Sequence, residues 1–288
     1  MDVEQIEKII ETDYNLLLKN LKNNLVSIFV IGSMQEPKTK LKQYNDYDLR
    51  IVVKNMNEST YKTIVDFNEK IKQKIKLNLN IDVDYSFIIG PVRYITKSKI
   101  NLLIHCIPMT LETLENLPLT HKYSYSCNYR IIFGKDILEK YKSIRYTGKD
   151  IIECTEGINY CINMIYNNKI KYAYWKIEND SIDVINDEQK MDDSEMFEVL
   201  RYSVSKSLYN TVQLDKWNGI KTYDNMRDNL KALDIDSEVI NDIEMLSNCS
   251  FESYEENKEK LRRETINALE KIKEHVMINN NYYNDYKN

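Results

Sequence analysis

Glycine is scarce in this 288-residue chain: there are six, and none falls in a G-x-G-x-x-G or Walker arrangement. That excludes the Rossmann and P-loop ways of cradling a phosphate. Proline is scarcer still. Its four residues (Pro37, Pro91, Pro108, Pro118) all precede residue 119, so the rest of the chain lacks the residue that helix interiors expel. The five cysteines (Cys106, Cys127, Cys154, Cys161, Cys249) form no C-x-x-C pair, and no group of them with the three histidines has zinc spacing. Most read as small core residues in a reducing compartment, so a cytoplasmic protein is expected. No apolar run is long enough to span a bilayer, and the first residues, Met1-Asp2-Val3-Glu4, are acidic. Neither a membrane span nor a signal peptide is expected.

Hydrophobic residues make up 42% of the chain and charged residues 30%, enough apolar content for a packed core. The net charge of −5 conceals a split. Residues 1–148 carry 22 Lys and Arg against 17 Asp and Glu; the remainder carries 18 against 28. A mildly basic first half suits a polyphosphate. A strongly acidic second half disfavours a nucleic-acid polymer and favours a cationic small molecule.

Hydrophobic periodicity divides the chain in the same way. Residues 3–22 and 58–77 carry apolar stripes at helical spacing (Ile6, Ile10, Leu17; Ile64, Ile71, Ile75). Residues 25–31, 46–54, 79–89 and 100–107 read as strands, the second and third with strict alternation. Further on, 151–176, 195–214 and 258–277 read as amphipathic helices. The expected architecture is α+β. A small mixed or antiparallel sheet domain over 1–148 is followed by a helical bundle over 149–278 and a flexible tail over 279–288.

Gly32-Ser33 closes the apolar run Ile28-Phe29-Val30-Ile31. Twelve residues later comes Asp46-Tyr47-Asp48-Leu49. Carboxylates at i and i+2 on a strand point to one face, where each raises the other's pKa. A divalent cation removes that penalty. A small-residue turn beside them offers backbone N–H groups, and here the Ser33 hydroxyl, to phosphate oxygens. A third strand carries Asp82 and Asp84. If it neighbours the Asp46 strand, three or four carboxylates converge, a donor set that selects Mg²⁺ or Mn²⁺.

These motifs resemble the DNA-polymerase-β-type nucleotidyltransferase superfamily, whose signature is Gly-Ser, a loop of about a dozen residues, Asp-h-Asp-h, and a third acid on a later strand. Ile131-Ile132-Phe133-Gly134-Lys135-Asp136 is similar to a segment near the end of this domain in antibiotic (aminoglycoside or lincosamide) nucleotidyltransferases. The resemblance spans residues 25–140. It implies metal-dependent transfer of a nucleoside monophosphate from a nucleoside triphosphate, ATP foremost, to a small-molecule hydroxyl with release of pyrophosphate. An aminoglycoside-like antibiotic is the favoured acceptor, and resistance the favoured role. It also implies Asp46 and Asp48 as metal ligands, with Asp84 or Asp82 as the third acid. Met34-Gln35-Glu36-Pro37 departs from the Arg and Gly of small superfamily members, and Arg201 lacks the Arg-x4-His of their helical partners. Transfer to RNA, protein or a second nucleotide is an alternative, as is a non-catalytic nucleotide-binding module.

Other residues carry weaker signals. Lys206 and Lys176 could reach a triphosphate. Glu153 or Glu156 could act as a general base. Trp175, Tyr172 and Tyr174 could stack a ring, although core packing explains them better. His105, inside an apolar strand, reads as a satisfied core residue.

Overall fold

The first apolar stripe becomes helix α1 (Val3–Leu21), in which Ile6, Ile10 and Leu17 are fully buried. A second stripe becomes α2 (Glu58–Leu79), begun by the Asn57 side chain accepting from the Thr60 N–H. Both helices cover one face of a five-stranded sheet. The structure, a computed structural model, describes residues 3–35, 45–88, 100–143, 146–178, 181–248 and 250–279.

The strands are β1 (Leu25–Ile31), β2 (Asn45–Val53), β3 (Val83–Ser86), β4 (Leu102–Thr110) and β5 (Tyr129–Gly134). Their order across the sheet is β3-β4-β2-β1-β5. β1 runs antiparallel to β2 and β5, whereas β4 runs parallel to β2 and β3. The sheet is therefore mixed. Alternation sorts β2 as expected: Tyr47, Leu49, Ile51 and Val53 join the core beneath α1 and α2. Asp46, Asp48 and Arg50 occupy the opposite face. Each fully buried Ile, Leu or Val contributes about 1.5–3 kcal/mol by leaving water.

Gly134 ends β5 at φ +86°, and a Cβ there would lie 2.2 Å from the Val26 carbonyl oxygen. No side chain fits without moving β1. Short helices α3 (Leu111–Asn116) and α4 (Leu119–Cys127) separate β4 from β5.

The remaining elements are α5 (Gly148–Asn167), hairpin strands β6 (Lys169–Glu178) and β7 (Ser181–Lys190), α6 (Asp193–Trp217), α7 (Met226–Ala232), α8 (Ser237–Asn248), α9 (Phe251–Glu255) and α10 (Lys258–Asn279). α5, α6 and α10 pack on one another around Ile158, Ile165, Leu200, Val204, Ala268 and Ile272. The described residues fall into two compact units. The first lies within 1–117, 121–143 and 171–187, the second within 118–120, 144–170 and 188–288. Among the described residues no helix is long and apolar enough to cross a membrane.

Two expectations change in detail. The helix expected over 151–176 stops at Asn167, because Asn168 adopts the left-handed conformation (φ 52°, ψ 43°), which Asn tolerates as a C-cap. Lys-Ile-Lys-Tyr-Ala-Tyr-Trp then alternates as a strand, and the Trp175 indole N–H donates to the Pro108 carbonyl at 2.9 Å. The strand expected over 79–89 shortens to four residues, because α2 runs on through Leu79 and ends at left-handed Asn80. The tail 280–288 lies outside the described residues.

Candidate metal centre

β1 delivers the chain to Gly32, which opens a 3-10 turn (Gly32–Met34) at φ +78°. Only glycine takes that conformation without strain. A Cβ at position 32 would also stand 3.2 Å from Asp48 Oδ2. The glycine thus brings bare backbone against the second aspartate. Asn128 and β5 hold the turn in place: the Gly32 N–H donates to the Asn128 carbonyl at 3.3 Å, and Arg130 Nε of β5 donates to the Gln35 carbonyl at 2.6 Å. Arg130 also pairs with Glu7 of α1, which accepts from the Tyr47 hydroxyl at 3.0 Å. A partly buried polar chain therefore ties α1, β2 and β5 to the loop beside the aspartates. Ser33 lies in the same turn, but its side chain falls outside what is described.

Asp46 and Asp48 begin β2 on the face away from α1 and α2. Parallel pairing sets Asp46 opposite Leu103 of β4, and Asp48 opposite His105. His105 is buried, with 6% exposure. Its Nδ1 is 3.0 Å from Asp48 Oδ1, and its Nε2 is 2.8 Å from the Ile88 carbonyl oxygen. A carbonyl and a carboxylate only accept, so Nε2 donates to Ile88 and Nδ1 donates to Asp48; a metal ion bound here would take the place of the Nδ1 proton. Asp46, Asp48 and His105 each offer a ligand atom within 4.8 Å of the others. Two carboxylates and an imidazole whose far nitrogen is anchored on a backbone carbonyl make a donor set suited to a divalent cation. The residues fit the metal that the sequence motif implies.

Arg50 supplies the fixed positive charge. It is buried on the same face, donating to the carbonyls of Leu49 and His105 at 3.0 and 3.1 Å and to Asp48 Oδ1 at 3.2 Å. The Tyr125 ring covers its guanidinium at 5.5 Å. Burial alone would push the Asp48 carboxyl up; the hydrogen bond from His105 and the charge of Arg50 outweigh it and hold the group below the usual carboxylate range. Asp48 is thereby kept anionic, with Oδ2 on the Gly32 side.

The other expected donors stand elsewhere. β4 separates β3 from β2, so the row Asp84–Leu103–Asp46 puts two strand spacings, about 10 Å, between the backbones of Asp84 and Asp46. Asp84 instead pairs with Lys72 of α2 at 2.9 Å, and exposed Asp82 lies 3.7 Å from Lys76. The convergence of three or four acids supposed that β3 neighbours β2; β4 lies between them. β3 has a different part: Ser86 shares the row of His105 and Asp48, and its Oγ accepts from the Ile88 N–H, whose residue's carbonyl anchors the imidazole. Lys206 belongs to the helical unit, on α6, where burial pushes its ammonium below the usual range near Cys161 and Cys154.

Among solved structures, the chain is similar to the spectinomycin adenyltransferase AAD(9) from Enterococcus faecialis, solved with ATP and spectinomycin. Identity is 15%, 91% of this chain and 98% of that chain are covered, and the TM-score is 0.47. No family model matches, and no curated protein matches. The chemistry assigned to the site therefore comes from its side chains.

His105 was legible in the sequence only as a core residue. Its apolar neighbours announce a buried strand, and nothing local announces that the strand pairs in parallel with β2 and brings position 105 opposite position 48.

Proposed function

We propose that the protein is a metal-dependent nucleotidyltransferase that moves a nucleoside monophosphate from a nucleoside triphosphate, ATP foremost, to a hydroxyl of a small molecule. The observation that carries this reading is the packing of Asp48 against the Gly32 turn, with Asp46 and His105 within ligand distance of it. Phosphoryl-type transfer asks little of a protein beyond positioning and neutralisation of charge. A turn with no side chain at position 32 can lay backbone against phosphate oxygens.

Asp46, Asp48 and His105 would hold the divalent ion, which when bound supplies charge neutralisation at the phosphates and a lowered pKa for the attacking hydroxyl. The nitrogen donor favours Mn²⁺ over Mg²⁺ relative to an all-carboxylate set. Arg50 keeps Asp48 ionised and fixed. The acceptor hydroxyl loses its proton to solvent, its oxygen forms a bond to the α-phosphorus, and the bond from that phosphorus to the α,β-bridging oxygen breaks as pyrophosphate leaves. The acidic second half of the sequence favours a cationic acceptor of the aminoglycoside kind.

The test is a screen for pyrophosphate release with four nucleoside triphosphates against a panel of polyhydroxylated amines, in Mn²⁺ and in Mg²⁺. Release that depends on one acceptor supports the reading. Release with nucleotide alone points to oligonucleotide synthesis, and tight nucleotide binding without release points to a sensing module.

A further inference from the structure

The helical unit contains a cavity of about 140 Å³ among α6, the 218–225 connection, α7 and α10. Its apolar wall includes Leu208, Val212, Ile220 and Leu233, and its polar end is formed by Asp215 and His275. Asp215 is 5% exposed. Asn279 Nδ2 is 2.7 Å from His275 Nδ1, so the amide donates and Nδ1 accepts. His275 Nε2–H then donates to Asp215 Oδ2 at 2.8 Å. This polarity leaves the pair with the negative charge of Asp215. The other carboxylate oxygen, Oδ1, is buried with no hydrogen-bond partner among the described residues.

A buried carboxylate oxygen without a donor is costly, and a charged one more so. Lys221 also lines the cavity, yet its ammonium lies over the Tyr223 ring, 5.2 Å from the centroid, and forms no ion pair with Asp215 among the described residues. The unmet need is for a donor that the described residues do not supply. The space is close to that which holds a benzene-sized guest in a protein interior. An apolar body of about six heavy atoms bearing one cationic N–H group would fill the wall and satisfy Oδ1 together.

We propose that this cavity is a binding site for a small organic monoammonium ion, with Asp215 as its anchor and His275 as the residue that orients Asp215. The site lies wholly within the helical unit and does not depend on the metal centre of the first unit or on the reaction proposed there.

The experiment uses the full chain and n-butylammonium chloride as probe, with n-butanol and sodium butyrate as matched controls. The protein has three histidines, so the imidazole signals of His275 can be followed by NMR beside those of His105 and His121. The expected result is a saturable shift at His275 with n-butylammonium alone. Binding should weaken at least tenfold in Asp215→Asn, and should also be lost in Val212→Phe, which fills the cavity and keeps the charge. Should Asp215→Asn fail to fold, Val212→Phe carries the comparison. The proposal is overturned by equal responses to the three probes, by a non-saturable response, by a shift confined to His105 or His121, or by undiminished binding in either variant.

Discussion

His105 Nδ1 stands 3.0 Å from Asp48 Oδ1 while Nε2 is tied to the Ile88 carbonyl at 2.8 Å. Replacing either part of this arrangement has a specific consequence. In His105→Ala, divalent affinity should fall ~10–100-fold, the range seen when residues around a metal are removed. His105→Asp should recover Mg²⁺ binding better than Mn²⁺ binding, because an oxygen donor replaces nitrogen. Mn²⁺ titration followed by electron paramagnetic resonance, repeated with Mg²⁺ as competitor, measures both. Unchanged affinity in His105→Ala would leave the residue as core packing only.

Two glycines should separate stability from function. Gly134→Ala forces a Cβ to 2.2 Å from the Val26 carbonyl in a left-handed conformation. It should lower stability by about 2–4 kcal/mol, combining backbone strain with a steric clash. Among the described residues, Gly32→Ala meets the Asp48 carboxylate alone, at 3.2 Å. Its cost should stay near 1–2 kcal/mol, but the displaced Asp48 should weaken metal binding strongly. Urea unfolding and Mn²⁺ titration on both variants should rank them in opposite orders.

The strands and helices that position the site were readable where the pattern is local. Alternation in β2 separated Tyr47, Leu49 and Ile51 from Asp46, Asp48 and Arg50, and that sorting holds in the fold. The α+β class followed from the change of period between the two halves. What could not be read was pairing at a distance. Asp84 looked like a donor because its strand alternates, yet β4 intervenes and Lys72 takes it. The hairpin β6–β7 was missed because Ile158, Ile165 and Tyr172 recur every seven residues, as a helical stripe does. The left-handed Asn168 decides against the helix, through a backbone preference that a hydrophobic pattern does not carry.

The charge state of Asp48 gives a prediction in pH. Its carboxyl is held below the usual range in the folded protein, so the folded state binds its proton less readily than the unfolded chain does. The stabilisation this contributes is fully present above the unfolded value of about 3.9. It is lost as pH falls through the lower folded value. The stability advantage of the wild type over Asp48→Asn should therefore be constant from neutrality to about pH 5 and shrink below about pH 4. Equilibrium urea unfolding across this range measures it. An advantage that grows on acidification would mean that Arg50 and His105 do not hold the carboxylate.

The most direct measurement is pyrophosphate release by wild type, Asp46→Asn and Asp48→Asn under the nucleotide, acceptor and metal conditions that serve the wild type best, with folding of each variant checked by circular dichroism. The site described here predicts a fall of at least about a hundredfold for each variant, the scale of losing one group that stabilises charge in the transition state. A folded Asp46→Asn or Asp48→Asn enzyme working within about twofold of wild type, well inside the tenfold that 1.4 kcal/mol represents, would contradict it.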